Sequence, residues 1–313
     1  MSISKGANDV QRFRRPAFSF ANARSALKAF LEAREDLRTG DVLLPAYVGW
    51  SKNEGSGVFD PIAELGLKYR FYRMTRQLTI DVNDLKSQLA ENAVKLLVVI
   101  HYFGYPDPNL REVLSLAREH GVPVVEDEAH ALYSDWFGGI CGRWGSAAIF
   151  SLHKMLPFRR GGLLVLNDPM DSVMLDKLAD SPHREPLEQN PLDYDLLKIS
   201  GVRRLNARKL LDLVAPLKGS VDPLFPDLPD GVVPQTLPVL IGNKSRDDLY
   251  FRLNDRGFGV VSLYHTLISP IQESAFPDSH WLAKRILNLP VHQDASLCML
   301  EAMVAYLSDL VAA

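Results

Sequence analysis

Three short segments of the sequence carry side chains that could do covalent chemistry. Asp127 and His130 lie in VVEDEAHAL, at the end of an apolar run, and Lys154 lies in FSLHKM, three residues after Ser151. Asn22 precedes a segment with helical periodicity, as a helix N-cap does. A lysine amine can form a Schiff base, a carboxylate can keep a pyridine nitrogen protonated, and a helix N-terminus can bind phosphate. In combination these are the requirements of a pyridoxal 5'-phosphate (PLP) site.

Each of these residues alone has an ordinary structural explanation. A carboxylate at the end of a strand is commonly a turn or cap residue, and a lysine after a strand is commonly solvated. The sequence contains no G-x-G-x-x-G turn, no G-x-x-x-x-G-K-[ST] loop, no H-E-x-x-H and no G-x-S-x-G. These absences argue against the common dinucleotide, P-loop, zinc-protease and serine-hydrolase sites. The PLP interpretation therefore depends on the three segments meeting in the fold.

The elements that must position these segments follow an α/β pattern. Short apolar runs alternate with helix-period segments. Strands are predicted at 42–45, 68–73, 96–101, 122–127, 147–151 and 162–167. The last two are joined by a connection too short for a crossover helix, so we expect a hairpin there. Helices are predicted at 23–34, at 82–90 and after Asp107, the expected N-cap, which is followed by Pro108.

A second, smaller domain follows a segment rich in Pro, Asp, Glu and Ser. We interpret 168–191 as the link between domains. Beyond it, helices are predicted at 196–213, 246–255 and 297–311, with a strand at 236–240. The chain is thus divided into a large domain at 1–190, which would bind PLP, and a small C-terminal domain at 191–313.

Composition narrows the class of partner. The chain has 313 residues, with 35 Lys and Arg against 38 Asp and Glu and a net charge of −3, so no global positive field exists to hold nucleic acid. Only Cys141 and Cys298 are present, which argues against a disulfide framework and a Cys-rich metal site. No stretch approaches the ~18 apolar residues of a membrane span, and the first residues lack a signal-peptide core. We expect a cytoplasmic protein that acts on small molecules.

Five motifs in a fixed order carry a family resemblance. They are a small-residue turn before Ala-Leu at 23–27, Gly-Asp-Val-Leu-Leu-Pro at 40–45, His-x-x-Gly at 101–104, Glu-Asp-Glu-Ala-His-Ala at 126–131, and Phe-Ser with Lys154 ahead of Gly-Gly at 150–162. With this set the chain resembles the DegT/DnrJ/EryC1/StrS family of PLP-dependent, largely sugar, aminotransferases. The resemblance implies the PLP-dependent transferase fold type I, with a mostly parallel central sheet, a smaller C-terminal α+β domain and a homodimer.

The resemblance also implies roles for single residues. Lys154 would bind PLP covalently and then move the substrate proton as acid and base, and Asp127 would pair with the pyridine nitrogen. His130 would contact the cofactor ring or its 3-oxygen. The phosphate would be bound by Ser151 and by the backbone N–H groups of Ala23 and Arg24.

Departures from the family pattern leave three points open. The position of the usual ring-stacking aromatic is Gly49, so either Tyr47 or Trp50 could stack on the cofactor, or both could be core residues. Arg159 and Arg160 replace a Thr-Gly-Glu sequence, and they could bind a substrate carboxylate or lie at a solvated hairpin tip. Two residues are missing between Ser151 and Lys154, and the G-x-N-x-R motif of the partner subunit is not found.

The function implied is transfer of an amino group, with glutamate as the expected donor, to a keto group of a sugar or similar metabolite. Two alternatives remain. One is a PLP-dependent dehydratase, a class that tends to carry His in place of the Schiff-base lysine, and His153 neighbours Lys154. The other is a protein that binds PLP or a sugar nucleotide without turnover.

Overall fold

A seven-stranded sheet forms the centre of the larger part of the chain. The computed structural model describes residues 15–91, 93–168, 170 and 172–312. The strands are β1 (Ala17–Phe20), β2 (Asp41–Pro45), β3 (Lys68–Tyr72), β4 (Val94–Ile100), β5 (Val124–Asp127), β6 (Ala147–Ser151) and β7 (Gly162–Leu166). Their order is β1-β7-β6-β5-β4-β2-β3. β7 pairs antiparallel with β1 and β6, and the other neighbours are parallel.

Six helices accompany this sheet. They are α1 (Ala23–Ala33), α2 (Phe59–Glu64), α3 (Val82–Leu89), α4 (Leu110–Glu119), α5 (Leu132–Trp136) and α6 (Ser172–Ala179). The sequence determines where α1 begins, because the side chain of Asn22 accepts a hydrogen bond from Ser25 N at 2.8 Å. Its buried face includes Leu27 and Phe30, which pack in the core of the large sheet. Burial of this stripe fixes the helix against the sheet.

A three-stranded antiparallel sheet forms the centre of the C-terminal part. It contains β8 (Val221–Pro223), β9 (Thr236–Ile241) and β10 (Ile286–Pro290), in the order β10-β9-β8. The helices here are α7 (Leu196–Val214), α8 (Arg246–Asp255), α9 (Pro277–Ala283) and α10 (Leu297–Ala312). Ile268 and Ile271, between α8 and α9, are buried in the core of the large sheet rather than in that of the small one. This segment therefore brings C-terminal residues to the large sheet.

The fold class and the mostly parallel central sheet are confirmed. The β6–β7 hairpin is also confirmed, with Ser151 opposite Gly162. One prediction about a local element is wrong: Asp107 does not cap α4, which begins at Leu110. The Asp107 carboxylate instead accepts from Ile80 N at 2.6 Å and Asn109 N at 2.8 Å, so it ties two loops together. Segment 168–191, interpreted as the link between domains, contains the helix α6. The domain boundary at residue 190 stays a prediction.

Short elements were the ones that sequence periodicity missed. β1, β8, β10 and α9 have three to seven residues each, too few for a period to stand out. Among the described helices, none combines the length and apolar character needed to cross a lipid bilayer.

The start of α1 lies directly against the start of β7. A Cβ atom added to Gly162 would lie 2.2 Å from the carbonyl carbon of Asn22 and 2.7 Å from the backbone N of Ala23. These are backbone atoms, which cannot rotate away as a side chain can. Only glycine at 162 allows the N-terminus of α1 to approach the sheet this closely.

We therefore predict that Gly162→Ala lowers the free energy of unfolding by about 3 kcal/mol, since overpacked backbone must shift. Denaturant unfolding measures this change. Gly201→Ala is the matched control, because Gly201 is in α7 with no atom within 4 Å of its added Cβ. There helix propensity should raise stability by up to about 1 kcal/mol. Equal effects of the two substitutions would contradict the close approach.

Candidate active site

The carboxyl ends of β4, β5 and β6 meet at one edge of the sheet. Asp127 is paired with Ile100 on β4 and Ile149 on β6. A cavity of about 190 Å³ opens at this edge. Residues from all three predicted segments line it, together with residues of two loops. The polar and aromatic lining residues include Asp127, His130, Lys154, Trp50, Glu54, Tyr264 and His265. Open α/β sheets place their ligand sites at this edge.

Asp127 lies at the floor of the cavity. Its Oδ1 accepts a hydrogen bond from Ala129 N at 2.8 Å. Burial raises the pKa of Asp127, whereas this hydrogen bond and the charges of Lys154 and His101 act to lower it. The second carboxylate oxygen, Oδ2, does not take part in this hydrogen bond and can accept one from a ligand that has an N–H or O–H group.

His130 connects the backbone to Lys154. Phe103 N lies 3.2 Å from His130 Nδ1 and must donate to it, since a backbone N–H cannot accept. In the neutral imidazole the proton is therefore on Nε2, which lies 3.1 Å from Lys154 Nζ. Phe103 has φ of 57°, in the left-handed region that few non-glycine residues adopt. The strained backbone of Phe103 thus positions the N–H group that donates to Nδ1 and so determines the tautomer of His130.

The hydrogen bond from His130 requires a neutral amine on Lys154. Burial lowers the pKa of Lys154, although the charges of Asp127 and Glu54 oppose the shift. Burial and the charge of Lys154 also lower the pKa of His130 well below its ordinary value. Burial thus disfavours the charged form of both side chains, and a neutral His130 with its proton on Nε2 can donate to the lone pair of an uncharged Lys154 amine. Such an amine is a nucleophile and a base.

The N-terminus of α1 reaches the cavity through Ala23. As the first two residues of the helix, Ala23 and Arg24 have N–H groups without intrahelical acceptors. The first turn contains no acidic side chain. The end of the helix dipole adds partial positive charge here. This corner of the cavity can therefore bind an anionic group.

The structure brings together five of the predicted site residues and leaves three outside the cavity wall. Lys154, Asp127, His130, Ala23 and Trp50 line the cavity. In the described part of the chain, Arg24, Ser151 and Tyr47 do not line it. The side chain of Arg24 reaches the Glu54 carbonyl and Asp60, and the Oγ of Ser151 is 3.2 Å from His153 Nδ1. Tyr47 is fully buried. The roles of these three residues at the cofactor stay predictions.

The two arginines of the hairpin tip also lie outside the cavity wall. Arg160 forms ion pairs with Glu185 and Glu188, and Arg159 is exposed. A role in binding substrate remains a prediction for both. Conversely, Tyr264, Glu54 and His265 line the cavity although no sequence argument selected them. They come from loops more than 70 residues from Lys154, and no motif or period marks them.

Behind Asp127 lies a fully buried cluster of ionisable side chains. His101 Nε2 is 2.9 Å from Glu126 Oε2 and 3.2 Å from Glu128 Oε1, and Cys141 Sγ donates to Glu128 Oε2 at 3.2 Å. Glu126 also accepts three backbone hydrogen bonds, from the N–H groups of residues 142, 144 and 145. The cluster joins β4 and β5 to the loop before β6.

The pKa values of the cluster follow from burial and mutual charge. Burial raises the pKa of Glu128 to about 8. Burial acts to lower the pKa of His101, but Glu128 and Glu126 outweigh it and raise this pKa to about 9. Burial also acts to raise the pKa of Glu126, yet the hydrogen bonds from His101 and the backbone bring it below its ordinary value. The cluster therefore favours a protonated His101 and an ionised Glu126, while burial disfavours ionisation of Glu128.

A family model now identifies the chain. The model of the DegT/DnrJ/EryC1/StrS aminotransferase family matches residues 13–181, more than half of the sequence. The chain belongs to this family. The prediction from the five motifs is confirmed. The matched range contains Asp127, His130 and Lys154, which are the residues that meet in the cavity.

Relatives of this DegT/DnrJ/EryC1/StrS chain include named sugar transaminases. The UDP-4-amino-4,6-dideoxy-N-acetyl-beta-L-altrosamine transaminase of Campylobacter jejuni is 28% identical over 106 residues, a segment that spans 33% of this chain and only 28% of that relative. A family aminotransferase from Brucella abortus has a TM-score of 0.74 and 20% identity, covering 95% of this chain and 86% of its own. PseC of Helicobacter pylori has a TM-score of 0.76 and 19% identity, with the same coverage. These structures share the fold.

The hydrogen bonds of His130 predict its titration. Since its pKa is well below the ordinary value, we expect a neutral ring with the proton on Nε2 throughout pH 5.5–8. Nitrogen-15 NMR of histidine-labelled protein reports both the tautomer and the titration. The exposed His265 serves as an internal reference in the same spectrum. A ring protonated on Nδ1 would show that the contact with Phe103 N is absent in solution.

The buried cluster predicts a pH dependence of stability. Glu128 has a folded pKa of about 8, above its ordinary value of 4.5, so its stabilising contribution is complete below pH 4.5 and is lost as the pH rises through 8. His101 also stabilises the folded protein at low pH, and its contribution to the free energy of unfolding is lost as the pH rises through about 9. The free energy of unfolding should fall between pH 6 and 8, by up to about 1.4 kcal/mol per pH unit from Glu128.

Glu128→Gln should make this fall shallower, because glutamine cannot ionise. Urea unfolding at pH 6, 7 and 8 measures the slope. Glu112→Gln, on the exposed face of α4, is the control and should keep the wild-type slope. An equal slope in Glu128→Gln and wild type would contradict the contribution of Glu128 to this fall.

Proposed function

We propose that the protein is a PLP-dependent aminotransferase that transfers an amino group to the keto group of a sugar or similar small metabolite. The observation that carries this proposal is the meeting of Lys154, His130 and Asp127 in one cavity at the edge of the sheet. Family membership supports it independently. The sugar class is supported by the name of the Campylobacter jejuni relative.

The residues of the cavity fit PLP by the chemistry of their donors. Lys154 is an amine with a lowered pKa and, among the described carboxylates, has no ion-pair partner within 4 Å. Asp127 would hold the pyridine nitrogen, and the N–H groups of Ala23 and Arg24 would hold the phosphate. Gly162 allows the helix end that carries these groups to approach the sheet. When bound, PLP supplies an electrophilic carbonyl and a ring that accepts electrons from the substrate carbon.

Three side chains of the cavity then have separate roles in the reaction. Lys154 Nζ, whose pKa burial lowers, would be the nucleophile toward PLP and would then remove the proton from the substrate Cα. His130 Nε2 donates to Nζ and so orients its lone pair. The Asp127 carboxylate keeps a proton on the ring nitrogen, which requires it to stay ionised despite burial. His101 behind it contributes positive charge toward that end.

Glutamate as the donor, a homodimer and a cytoplasmic location belong to the same proposal and are supported by the family resemblance. Leu192, Leu197 and Leu205, in or just before α7, are exposed apolar side chains that a partner subunit could cover. The partner-subunit phosphate motif remains without a counterpart in this sequence.

The test is the absorbance spectrum of the protein with PLP, followed by addition of glutamate. We expect a visible band from covalently bound PLP that Lys154→Ala abolishes and that glutamate bleaches in the wild type. Asp127→Asn should retain the band and slow bleaching by at least a hundredfold, because a neutral amide cannot stabilise a protonated ring nitrogen. Lys198→Ala, which removes an exposed lysine of α7, is the control for loss of a lysine.

The outcomes separate the alternatives. A band that neither glutamate nor other amino donors bleach would favour PLP binding without amino transfer. Consumption of a sugar substrate with no gain of nitrogen would favour a dehydratase. A wild-type protein without any band after PLP addition would overturn the proposal.

A further inference from the structure

Tyr264 presents an aromatic ring to the cavity from the C-terminal part of the chain. It lies between α8 and α9, in the segment that packs on the large sheet. Its ring stacks on Tyr47, with centroids 5.4 Å apart and planes 19° apart. Its centroid is also 5.8 Å from that of His130, in an edge-to-face arrangement. The ring therefore lies between a buried aromatic and the residues of the cavity.

The backbone holds Tyr264 in this position at a cost. Its φ is 58°, in the left-handed region, where an aromatic residue is an outlier. The backbone just after Tyr264 is bonded to the loop after β2, since Trp50 N donates to Thr266 O at 3.0 Å and Ile268 N donates to Val48 O at 3.0 Å. The loop after β2 and the loop of Tyr264 are thus joined directly. Backbone strain of this kind concentrates at functional sites.

Gly49 leaves the space that the ring of Tyr264 requires. A Cβ atom added to Gly49 would lie 3.0 Å from Cδ1 of Tyr264 and 3.4 Å from Cε1. At these distances the ring of Tyr264 would have to shift by a few tenths of an ångström to admit even a Cβ atom. An aromatic side chain at residue 49 would project toward the same ring and require a larger shift, so the two positions compete for one space.

The other two candidate aromatics are less suited to contact a planar ligand. Tyr47 is fully buried and is covered by the ring of Tyr264. Trp50 is 45% exposed and follows Gly49 in the loop. Tyr264 shares the cavity wall with Asp127, His130 and Lys154. Burial and then the charge of Asp127 raise the pKa of the Tyr264 hydroxyl, which agrees with their facing one space.

We propose that Tyr264 supplies the aromatic contact to the PLP ring, from the C-terminal segment, and that residue 49 is glycine because this ring occupies its side-chain space. The assignment rests on the proposed function. Aromatic rings in stacked or edge contact contribute beyond the area they bury. Loss of the ring should therefore weaken PLP binding, and an aromatic introduced at residue 49 should be accepted only when Tyr264 is small.

The test measures the dissociation constant of PLP by absorbance titration of cofactor-free protein, with circular dichroism of the bound PLP as a second readout. Tyr264→Asn removes the ring and keeps a residue that tolerates the left-handed backbone. We expect it to raise the dissociation constant about tenfold. Tyr264→Phe, the matched control, should stay within about twofold of wild type, since it keeps the ring. Melting temperatures verify that each variant is folded.

The double variant decides whether the two positions exchange. Gly49→Phe alone should weaken PLP binding, because it displaces Tyr264. Gly49→Phe combined with Tyr264→Asn should bind more tightly than either single variant. A Tyr264→Asn protein that binds PLP as the wild type does, with the same dichroism, would overturn this assignment alone. A wild type that binds no PLP would overturn the proposed function and the assignment with it.

Discussion

The parallel pairing of β5 with β4 and β6 is the constraint on which the site depends. Because the strands run in the same direction, Ile100, Asp127 and Ile149 lie side by side, and the residues that follow them emerge at one edge. His101, His130 and Lys154 are separated by up to 53 positions in sequence, yet they leave the sheet within the same few residues of strand end. The backbone hydrogen bonds between the three strands thus bring these side chains to one place in the fold, independently of contacts among the side chains themselves.

Two features at this edge of the sheet lower the free energy of unfolding: buried ionisable groups and strained backbone. Two ionisable carboxyl groups and a histidine are buried behind Asp127, where hydrophobic residues could pack without a desolvation cost. Phe103 and Tyr264 both have a left-handed backbone, and both contact His130 or its surroundings. Two of the three described non-glycine residues with a left-handed backbone, and the buried cluster of His101, Glu126 and Glu128, therefore lie near Lys154; the third such residue, Leu78, lies in a turn after β3. Local rules are expected to be broken where function requires a particular geometry.

The cavity has walls from both parts of the chain. The large sheet contributes the lysine, the carboxylate and the helix end, whereas residues 262–265 from the C-terminal part form the opposing wall. The bridge between Gly49 and Leu267, with its two backbone hydrogen bonds, joins the loop after β2 to this segment. A change in either part can therefore alter binding at the other. This arrangement explains why the aromatic wall can come from a segment far from the motifs.

Periodicity, caps and motifs in the sequence were sufficient to predict most helices and strands and the candidate site residues at strand ends. The limits of α1, α3, α7, α8 and α10, and the strands of the large sheet other than β1, followed from apolar patterns and caps. Asp127, His130 and Lys154 followed from their motifs.

Three features could be seen only in the folded structure: Tyr264 lines the cavity, Ser151 and Tyr47 are not among the residues that line it in the described part of the chain, and Phe103 N donates to Nδ1 of His130. The physical reason is that these features arise from contacts between segments distant in the chain. Local propensity and spacing carry no record of such contacts.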